Sequence, residues 1–521
     1  MQKLNKELIY KLLLSRFDGK LLSLKDLPHP YTLKDMQKGV KRVASAIKNQ
    51  EKIALIGDYD VDGVTATTIV REFFELINYP LDWVIPNRFS DGYGISKSVI
   101  DRVDAELIIT VDNGVAAIEP AKICKERGID LIITDHHTCG DILPEAYALI
   151  NQKQRDCKFE YKEICGAQIA WYFISALANE LGVKFDKKEQ LSLVAIAIVA
   201  DIMPLNGINR AMLKAGLKLL NNSNRVFVKA LKSRLNIKEI TSETIGFYIA
   251  PLLNSAGRLK DASLASEFLI TKDLDRALML LDELILLNNE RKELEREITK
   301  EALKQVKKSD KIAIVAGEEW NEGVVGIVAA RVANHFKIPA LALSIKGDIC
   351  KGSGRSWGDC DLFNLVSKAK EYYLKFGGHK CALGLSFKRD KLDIIKSILN
   401  IEAKNCNKNY IDKTILGELP FSEIDFELLD ILDRFEPYGE ANPKPKFITK
   451  NVKIMDIREL GESGEHKRYR LLHENKILTA IEFKSKSSVK INDKIDVVYT
   501  INRNEFNDNI YINLFVESIN I

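Results

Sequence analysis

Short apolar runs alternate with helical stretches from about residue 52, and this alternation constrains the fold more than any other feature. Helical patterns such as VTATTIVREFFELI and AAIEPAKICKERG separate runs that are rich in β-branched residues. Those runs are KIALIG (52–57), LDWVIP (81–86), LIITV (107–111) and LIIT (131–134). Strands and helices that alternate at this spacing predict an α/β domain, a parallel sheet with helices on both faces.

Three aspartates at alternate positions follow the first of these runs. If the chain stays extended, Asp58, Asp60 and Asp62 share one face, and Gly63 then allows a turn into the next helix. The spacing also matches the first half of an EF-hand calcium loop. That loop requires an entering helix and a glutamate at its twelfth position, which is Ile69 here. The sequence therefore favours a strand-end site over a calcium loop.

Acidic and histidine side chains follow other apolar runs in the same way. LIITVDNG ends in Asp112, LIITDHHT provides Asp135, His136 and His137, and AIAIVADIMPL places Asp201 after an apolar run. The carboxyl ends of strands in an open parallel sheet line the crevice where ligands bind. One such aspartate is usually a turn or cap residue, but several at adjacent strand ends predict a common site.

Carboxylates brought this close repel one another unless cations lie between them. Mixed aspartate and histidine ligands suit Mn²⁺ or a comparable divalent ion, and bridging carboxylates favour two ions. Two ions about 4 Å apart activate water and stabilise the charge that develops when a phosphoester is cleaved. The residues therefore indicate metal-dependent phosphoester hydrolysis.

Changes in pattern divide the rest of the chain. A segment without glycine or proline predicts a helix roughly 50 Å long that leaves one domain and crosses solvent to the next. A second strand–helix pattern follows it, and the last part of the chain consists of short alternating strands, consistent with a small barrel. The predicted divisions are a basic segment 1–50, a first α/β domain 51–272, a linker helix 273–308, a second α/β domain 309–405 and a β-barrel 406–521.

Charge and cysteine usage add limited constraints. Net charge is only +4, but residues 1–50 hold eleven Lys/Arg against four Asp/Glu, so this segment is either a solvated face or a contact for a polyanion. The eight cysteines form no C-x-x-C pair, which predicts reduced thiols in a cytoplasm. No apolar run reaches the ~18 residues of a membrane span, so we expect no membrane association.

The motifs DYDVDG, VDNG, TDHHT and VADIMPL, in this order and spacing, resemble those of the DHH phosphoesterase superfamily. Within it the chain resembles the RecJ family of single-strand-specific exonucleases over roughly residues 40–520. The further segments that carry the resemblance are NRFSDGYGIS (87–96), APLLNSAGRLKDAS (250–263), GVVGIVAARV (323–332), KGSGRSWGDCDL (351–362), GGHKCALG (377–384) and LDRFEPYGEANPKPKF (432–447).

This resemblance implies two ions, Mn²⁺ or Mg²⁺, and a set of ligands for them. The implied metal ligands are Asp58, Asp60, Asp112, His136 and Asp201, with Asp62 and His137 as ligands or partners of ligands. Among these, Asp112, His136 and His137 are also expected to act in catalysis. Relatives often carry a histidine where this chain has Ile56. That leaves open whether Asp58 or Asp62 completes the first metal shell, and we favour Asp58.

The resemblance also implies substrate contacts. Arg258 is expected to face the scissile phosphate as a catalytic and binding residue, with help from Arg88. The second α/β domain resembles the DHHA1 module, whose expected substrate-binding residues are Ser353, Arg355, Gly377, Gly378 and His379. The barrel resembles an OB-fold, which binds single strands by stacking bases on aromatic side chains. Its candidates, which could equally be core and rim residues, are Arg468, Tyr469, Arg470, Phe483 and Lys484.

The function implied is a cytoplasmic two-metal exonuclease that degrades single-stranded DNA from the 5′ end and releases nucleotides in recombination and repair. A single-strand-binding protein and a helicase are candidate partners. A rival reading is a DHH phosphoesterase of short oligonucleotides or cyclic dinucleotides, which the linker helix and the barrel disfavour. Another is a catalytically inactive replication scaffold, which the nearly complete ligand set disfavours. Activity on RNA stays open.

Overall fold

The computed structural model describes residues 2–406, 414–461, 464–506 and 509–520. Contacts divide the chain into two units. One comprises residues 1–28, 202–219 and 412–521, and the other comprises residues 29–201 and 220–411. None of the helices in these ranges is long and apolar enough to cross a membrane.

Helices precede, separate and connect the sheets. The α-helices of the described ranges are α1 (Lys6–Leu14), α2 (Met36–Asn49), α3 (Val61–Leu76), α4 (Lys97–Ile100), α5 (Ile118–Glu126), α6 (Gly166–Leu181), α7 (Leu191–Ala200), α8 (Gly207–Asn221), α9 (Val226–Leu235), α10 (Ser242–Thr244), α11 (Ala250–Leu259), α12 (Ser263–Ile270), α13 (Leu274–Gln305), α14 (Val325–Phe336), α15 (Leu362–Ser367), α16 (Leu392–Glu402) and α17 (Phe426–Arg434).

The strands of the described ranges form three sheets. They are β1 (Ile53–Ile56), β2 (Asp82–Val84), β3 (Leu107–Val111), β4 (Asp130–Thr134), β5 (Ala148–Ile150), β6 (Ala313–Glu318), β7 (Ala340–Lys346), β8 (Ile349–Arg355), β9 (Tyr373–Gly378), β10 (Ala382–Lys388), β11 (Ile415–Glu418), β12 (Lys446–Leu460), β13 (His466–His473), β14 (Lys476–Glu482), β15 (Lys494–Phe506) and β16 (Asn509–Asn520).

The first sheet confirms the predicted parallel α/β domain. Its order is β2-β1-β3-β4-β5, and all neighbouring strands are parallel. Its central strands β1 and β3 are buried along their whole length, as expected for a sheet covered on both faces. Ile56 pairs with Thr110 and Val111 pairs with Thr134, so β1, β3 and β4 end at one edge. The short β5 was not predicted.

The connecting helix α13 is continuous as predicted, but it does not cross solvent. One stripe along it is buried from Ala277 to Ala302, and this stripe includes Asn288, Arg291 and Glu295. These polar groups tolerate burial because they satisfy one another. Arg291 donates to Asn288 Oδ1 at 2.9 Å and to Glu295 Oε2 at 2.8 Å. The C-terminal half of α13 is therefore packed against the protein on one face, although its composition is mostly charged.

The second sheet is mixed and has the order β6-β7-β8-β10-β9. β6 and β7 are parallel, whereas the remaining neighbours are antiparallel. The expectation that all cysteines are reduced is wrong for one pair, because Cys360 and Cys406 form a disulfide with a Cα–Cα distance of 5.3 Å. The two cysteines are 46 residues apart in the chain, so their spacing gave no signal.

The third sheet lies in the unit that holds the C-terminal part of the chain, and it confirms the predicted OB-like barrel. β12, β13, β14, β16 and β15 follow one another, and β12 pairs with β15 to close the barrel. The N-terminal residues belong to the same unit: Leu4 N donates to Glu418 O at 2.8 Å, and Lys6 forms ion pairs with Asp425 and Glu427. At least one cation of the basic N-terminal segment therefore has protein partners.

Candidate metal centre

The first group of carboxylates lies at the turn between β1 and α3. The expected extended run is wrong here, because β1 ends at Ile56 and Asp60 caps α3 by accepting from Gly63 N at 3.1 Å. A Cβ at Gly63 would lie 2.6 Å from the Asp58 backbone oxygen. Asp58 and Asp60 therefore converge through a tight strand-to-helix turn that glycine permits.

Asp62 lies in the first turn of α3 and is held by another helix. Its carboxylate accepts from Gly166 N at 2.6 Å and from Ala167 N at 2.8 Å, at the N-terminus of α6. Backbone N–H groups at a helix N-terminus stabilise a carboxylate. With both oxygens engaged in this way, Asp62 is better suited than Asp58 to a supporting role, which agrees with our preference for Asp58.

Asp112 follows β3 in a left-handed conformation with φ 62°. The residue is 1% exposed, and its Oδ1 accepts no hydrogen bond from the residues that the structure describes. A Cβ at Gly166 would lie 2.5 Å from this same oxygen. The start of α6 therefore needs glycine because Asp112 approaches its backbone closely. No motif in the sequence marks Gly166 as a site residue.

His136 connects the carboxylates contributed by different elements. Its Nε2 lies 3.1 Å from Asp112 Oδ1. It also lies 3.7 Å from Asp62 Oδ2 and 3.7 Å from Asp201 Oδ2. Asp201 is the C-cap of α7, so the apolar run before it is a helix and not a strand. It joins the site because α7 packs on α3 and ends at the same crevice.

Asp135 orients the second histidine of the DHH motif. Its Oδ1 lies 2.7 Å from His137 Nδ1 and accepts from His136 N at 2.7 Å, and its Oδ2 accepts from Val115 N at 2.8 Å. Burial lowers the pKa of His137, but the pairing with Asp135 outweighs this effect and the pKa rises to about 9. Asp135 therefore positions its neighbours, and both of its carboxylate oxygens have hydrogen-bond partners.

Burial and mutual repulsion shift the other titrating groups. Burial first, and nearby carboxylates second, raise the pKa values of Asp58 and Asp112 well above their usual range. The same causes raise the pKa of Asp201 to about 9. Burial lowers the pKa of His136. In the protein alone, ionising these carboxylates together is unfavourable, and a bound cation removes that cost.

The donor set fits divalent cations. Potential ligand atoms lie within 4.8 Å of one another in three overlapping groups, which are Asp58–Asp60–Asp112, Asp112–His136–His137 and Asp62–His136–Asp201. Four buried atoms in this cluster have no hydrogen-bond partner within the described part of the chain. They are Asp58 Oδ1, Asp112 Oδ1, His136 Nδ1 and Asp201 Oδ2. Buried polar atoms are rarely left unpaired, so a cluster of them indicates a bound ion or ions.

Arginines collect beside this centre. Burial, together with the nearby Arg88, Arg291 and Arg355, lowers the pKa of Arg258 to about 10. Arg258 donates to Gly323 O at 2.7 Å, and the Arg88 guanidinium lies 4.0 Å above the Tyr59 ring. Arg291 was not predicted because it lies within the charged half of α13. Clustered arginines suit a phosphate ligand.

The expected residues of the second sheet fall into two groups. Arg355 Nη2 and the Ser353 side chain lie 3.1 and 3.5 Å from where a Cβ at Gly326 would be, at the start of α14. Gly377, Gly378 and His379 lie at the turn from β9 to β10, where the His379 side chain is exposed. Gly378 has φ 146°, which favours glycine.

The barrel candidates are less uniform than expected. Tyr469 is completely buried and its hydroxyl donates to Glu482 at 2.6 Å, so it is a core residue and not a stacking platform. Alternation along β13 places it inside the barrel, while Arg470 is exposed. Phe483 is 55% exposed and Lys484 is exposed, so both remain accessible.

Replacing Gly166 with alanine is expected to weaken Mn²⁺ binding at least about tenfold, because the new methyl group would displace Asp112. Isothermal titration with Mn²⁺ measures this change. Gly140→Ala is the matched control, since the closest atom to its Cβ is 3.5 Å away. Equal affinities in the two variants would contradict the close approach of Asp112 to α6.

Comparison with known proteins agrees with this geometry. Family models match residues 52–198 (DHH family, N-terminal domain), 309–405 (DHHA1 domain) and 415–518 (RecJ OB domain). The crystal structure of RecJ from Thermus thermophilus in complex with Mn²⁺ superposes with a TM-score of 0.81 at 27% identity, covering 94% of this chain and 72% of that one.

Curated relatives extend over nearly the whole chain. The single-stranded-DNA-specific exonuclease RecJ of Escherichia coli is 31% identical over 94% of this chain and 90% of its own length. The Bacillus subtilis protein of the same name is 34% identical over 93% of this chain, which spans only 63% of that relative. On this identity and coverage, the chain belongs to the RecJ family of the DHH phosphoesterase superfamily.

Proposed function

We propose that this protein is a two-metal exonuclease that hydrolyses single-stranded DNA in the 5′ to 3′ direction and releases nucleotides. The observation that carries this proposal is the set of three overlapping ligand groups, with unpaired buried donor atoms, beside a cluster of arginines. The names of the relatives support the choice of single-stranded DNA as substrate.

The proposed metal ligands are Asp58, Asp60, Asp112, His136 and Asp201, with Asp62 in a supporting role because the N-terminus of α6 engages both of its oxygens. Two bound Mn²⁺ or Mg²⁺ ions would supply an activated water and would stabilise charge on the phosphate oxygens. Asp112, like His136, belongs to two of the three groups, and its carboxylate would help to hold both ions. Asp135 holds the imidazole of His137 beside the cluster, where it can interact with the reacting phosphate.

The arginine side of the site would hold the DNA backbone. Arg258 and Arg88 are proposed to contact the scissile phosphate. Ser353 and Arg355 lie where Arg258 contacts Gly323 before α14, and they would bind the terminal phosphate. Gly377 and Gly378 end β9 and His379 follows them, and all three are exposed, so a nucleotide can approach them. Arginine forks and exposed backbone N–H groups both suit phosphate oxygens.

Other parts of the proposal rest on membership of the RecJ family. They are the role in recombination and repair, a cytoplasmic location, and association with a single-strand-binding protein and a helicase. The domain limits at residues 50, 272, 308 and 405 are likewise proposals. The exposed Phe483 and Lys484 of the barrel are candidates for contact with single-stranded DNA.

A strand labelled at either end tests the activity. With Mn²⁺, we expect a 5′ label to appear at once as a mononucleotide, whereas a 3′ label should stay on progressively shorter strands. EDTA should stop both reactions, and the same sequence in a blunt duplex should be resistant. Early release of the 3′ label would show that the enzyme degrades the strand from its 3′ end. Cleavage in EDTA, or none with either label, would refute the proposal.

A further inference from the structure

The side chain of Asn113 lies between the ends of β1 and β3 and is completely buried. Its Nδ2 donates to the carbonyl oxygens of Ile56 at 3.2 Å, Gly57 at 3.0 Å and Val111 at 2.9 Å. These carbonyls immediately precede Asp58 and Asp112. One amide group therefore joins the two strand ends that carry these carboxylates.

The same side chain also holds the loop of residues 87–96. Asn113 Oδ1 accepts from Ile95 N at 3.0 Å, and a Cβ at Gly94 would lie 2.9 Å from this oxygen. Gly94 has φ 63°, so the loop turns tightly against the amide. Every polar function of the Asn113 side chain is therefore used, with the donors on the metal side and the acceptor on the loop side.

This loop carries groups that face the reaction site. The Arg88 guanidinium donates to Gly257 O at 3.2 Å and covers Tyr59, which lies between two of the candidate ligands. The Tyr93 hydroxyl donates to Asp112 O at 3.1 Å. The loop thus contacts the metal centre through Tyr93 and the arginine cluster through Arg88, and Asn113 holds the loop at Gly94 and Ile95.

We propose that Asn113 is a positioning residue that sets the distance between the metal centre and the Arg88 loop. No other side chain type of this size offers both the donors for the strand carbonyls and the acceptor for Ile95 N, apart from glutamine, which is one methylene longer. The inference rests on the proposed function, since it assigns Arg88 to the DNA backbone. A purely structural asparagine would affect folding stability without coupling to Arg88.

A double-mutant cycle distinguishes these roles. With Mn²⁺ at a concentration that saturates every variant, Asn113→Ala and Arg88→Ala are each expected to lower kcat/KM on single-stranded DNA about tenfold, and the double variant should lose little more than either one. Arg355→Ala lies outside the loop, so its effect should multiply with that of Asn113→Ala. If the losses in kcat/KM from Asn113→Ala and Arg88→Ala also multiplied in the double variant, the proposal would be overturned.

Metal binding provides a readout that does not depend on activity. Electron paramagnetic resonance of free Mn²⁺ should show about tenfold weaker binding in Asn113→Ala, whereas Arg88→Ala should bind as the wild type does. Asn49→Ala, an exposed asparagine on α2, is the matched control. Unchanged Mn²⁺ affinity in Asn113→Ala would also overturn the proposal.

Gly94→Ala keeps the inference testable if Asn113→Ala does not fold, because it displaces the loop from the other side of the same contact. Its effect should be non-additive with that of Arg88→Ala, and full additivity would again contradict the proposal. A wild-type protein that binds Mn²⁺ but cleaves no DNA would instead refute the proposed function. In that case the Mn²⁺ titration of Asn113→Ala would still test the link between β1 and β3.

Discussion

Replacing Asp112 with asparagine is expected to lower kcat about a thousandfold, the loss that corresponds to several kcal/mol of metal-dependent stabilisation of the transition state. Asp112 belongs to two of the three ligand groups, and among the described residues its Oδ1 accepts no hydrogen bond. Asparagine keeps the shape of the side chain but removes its charge. DNA binding should persist, because Arg88, Arg258 and Arg355 are unchanged.

The same variant should be more stable than the wild type when metal is absent. The Asp112 carboxyl is buried among other carboxylates, which raises its pKa well above the usual range, and a neutral amide relieves that repulsion. Thermal unfolding in EDTA and steady-state cleavage in Mn²⁺ measure the two effects. Asp104→Asn is the matched control, since this carboxylate is 84% exposed and pairs with Lys52. Near-normal cleavage by Asp112→Asn would show that the Asp112 carboxylate is not needed to hold the ions.

The location of the site could be predicted because it follows from sheet topology. Strands of a parallel sheet end at one edge, so apolar runs that end in Asp112 and in the DHH motif placed these residues together. The barrel was predictable for a similar reason, since alternation within β12 to β16 is a local property of each strand. Both inferences require only short-range pattern and a rule of chain topology.

The features that could not be predicted from the sequence depend on contacts between residues distant in the chain. Asp62 is held by Gly166 N, 104 residues away, and the disulfide joins cysteines 46 residues apart. No local pattern marks such pairs. The buried face of α13 was not predicted because Arg291 and Glu295 are charged, and charged residues indicate a solvent-exposed face. In the structure they pair with each other within the helix and are buried. Tyr469 could not be assigned to the core before the register of β13 was known.

Without metal, the protein is expected to lose stability as the pH rises from about 7 to 9. The folded protein raises the pKa of Asp201 to about 9, whereas an unfolded carboxyl ionises near pH 3.9, so the folded state holds a proton that the unfolded state has lost. The stability that this proton provides is therefore lost as the pH approaches 9, by about 1.4 kcal/mol per pH unit at most. His137, whose pKa also rises to about 9, acts in the same direction.

Bound metal should reverse this dependence, because the ions need deprotonated ligands and replace the protons. We expect melting temperatures in EDTA to fall between pH 7 and 9, and the increase caused by saturating Mg²⁺ to grow over the same interval. Asp201→Asn should flatten the EDTA profile, since asparagine has no proton to lose. A metal-free melting temperature that rises with pH would mean that these carboxylates are already ionised in the folded protein. The cluster would then bind metal without the competition from protons that its burial implies.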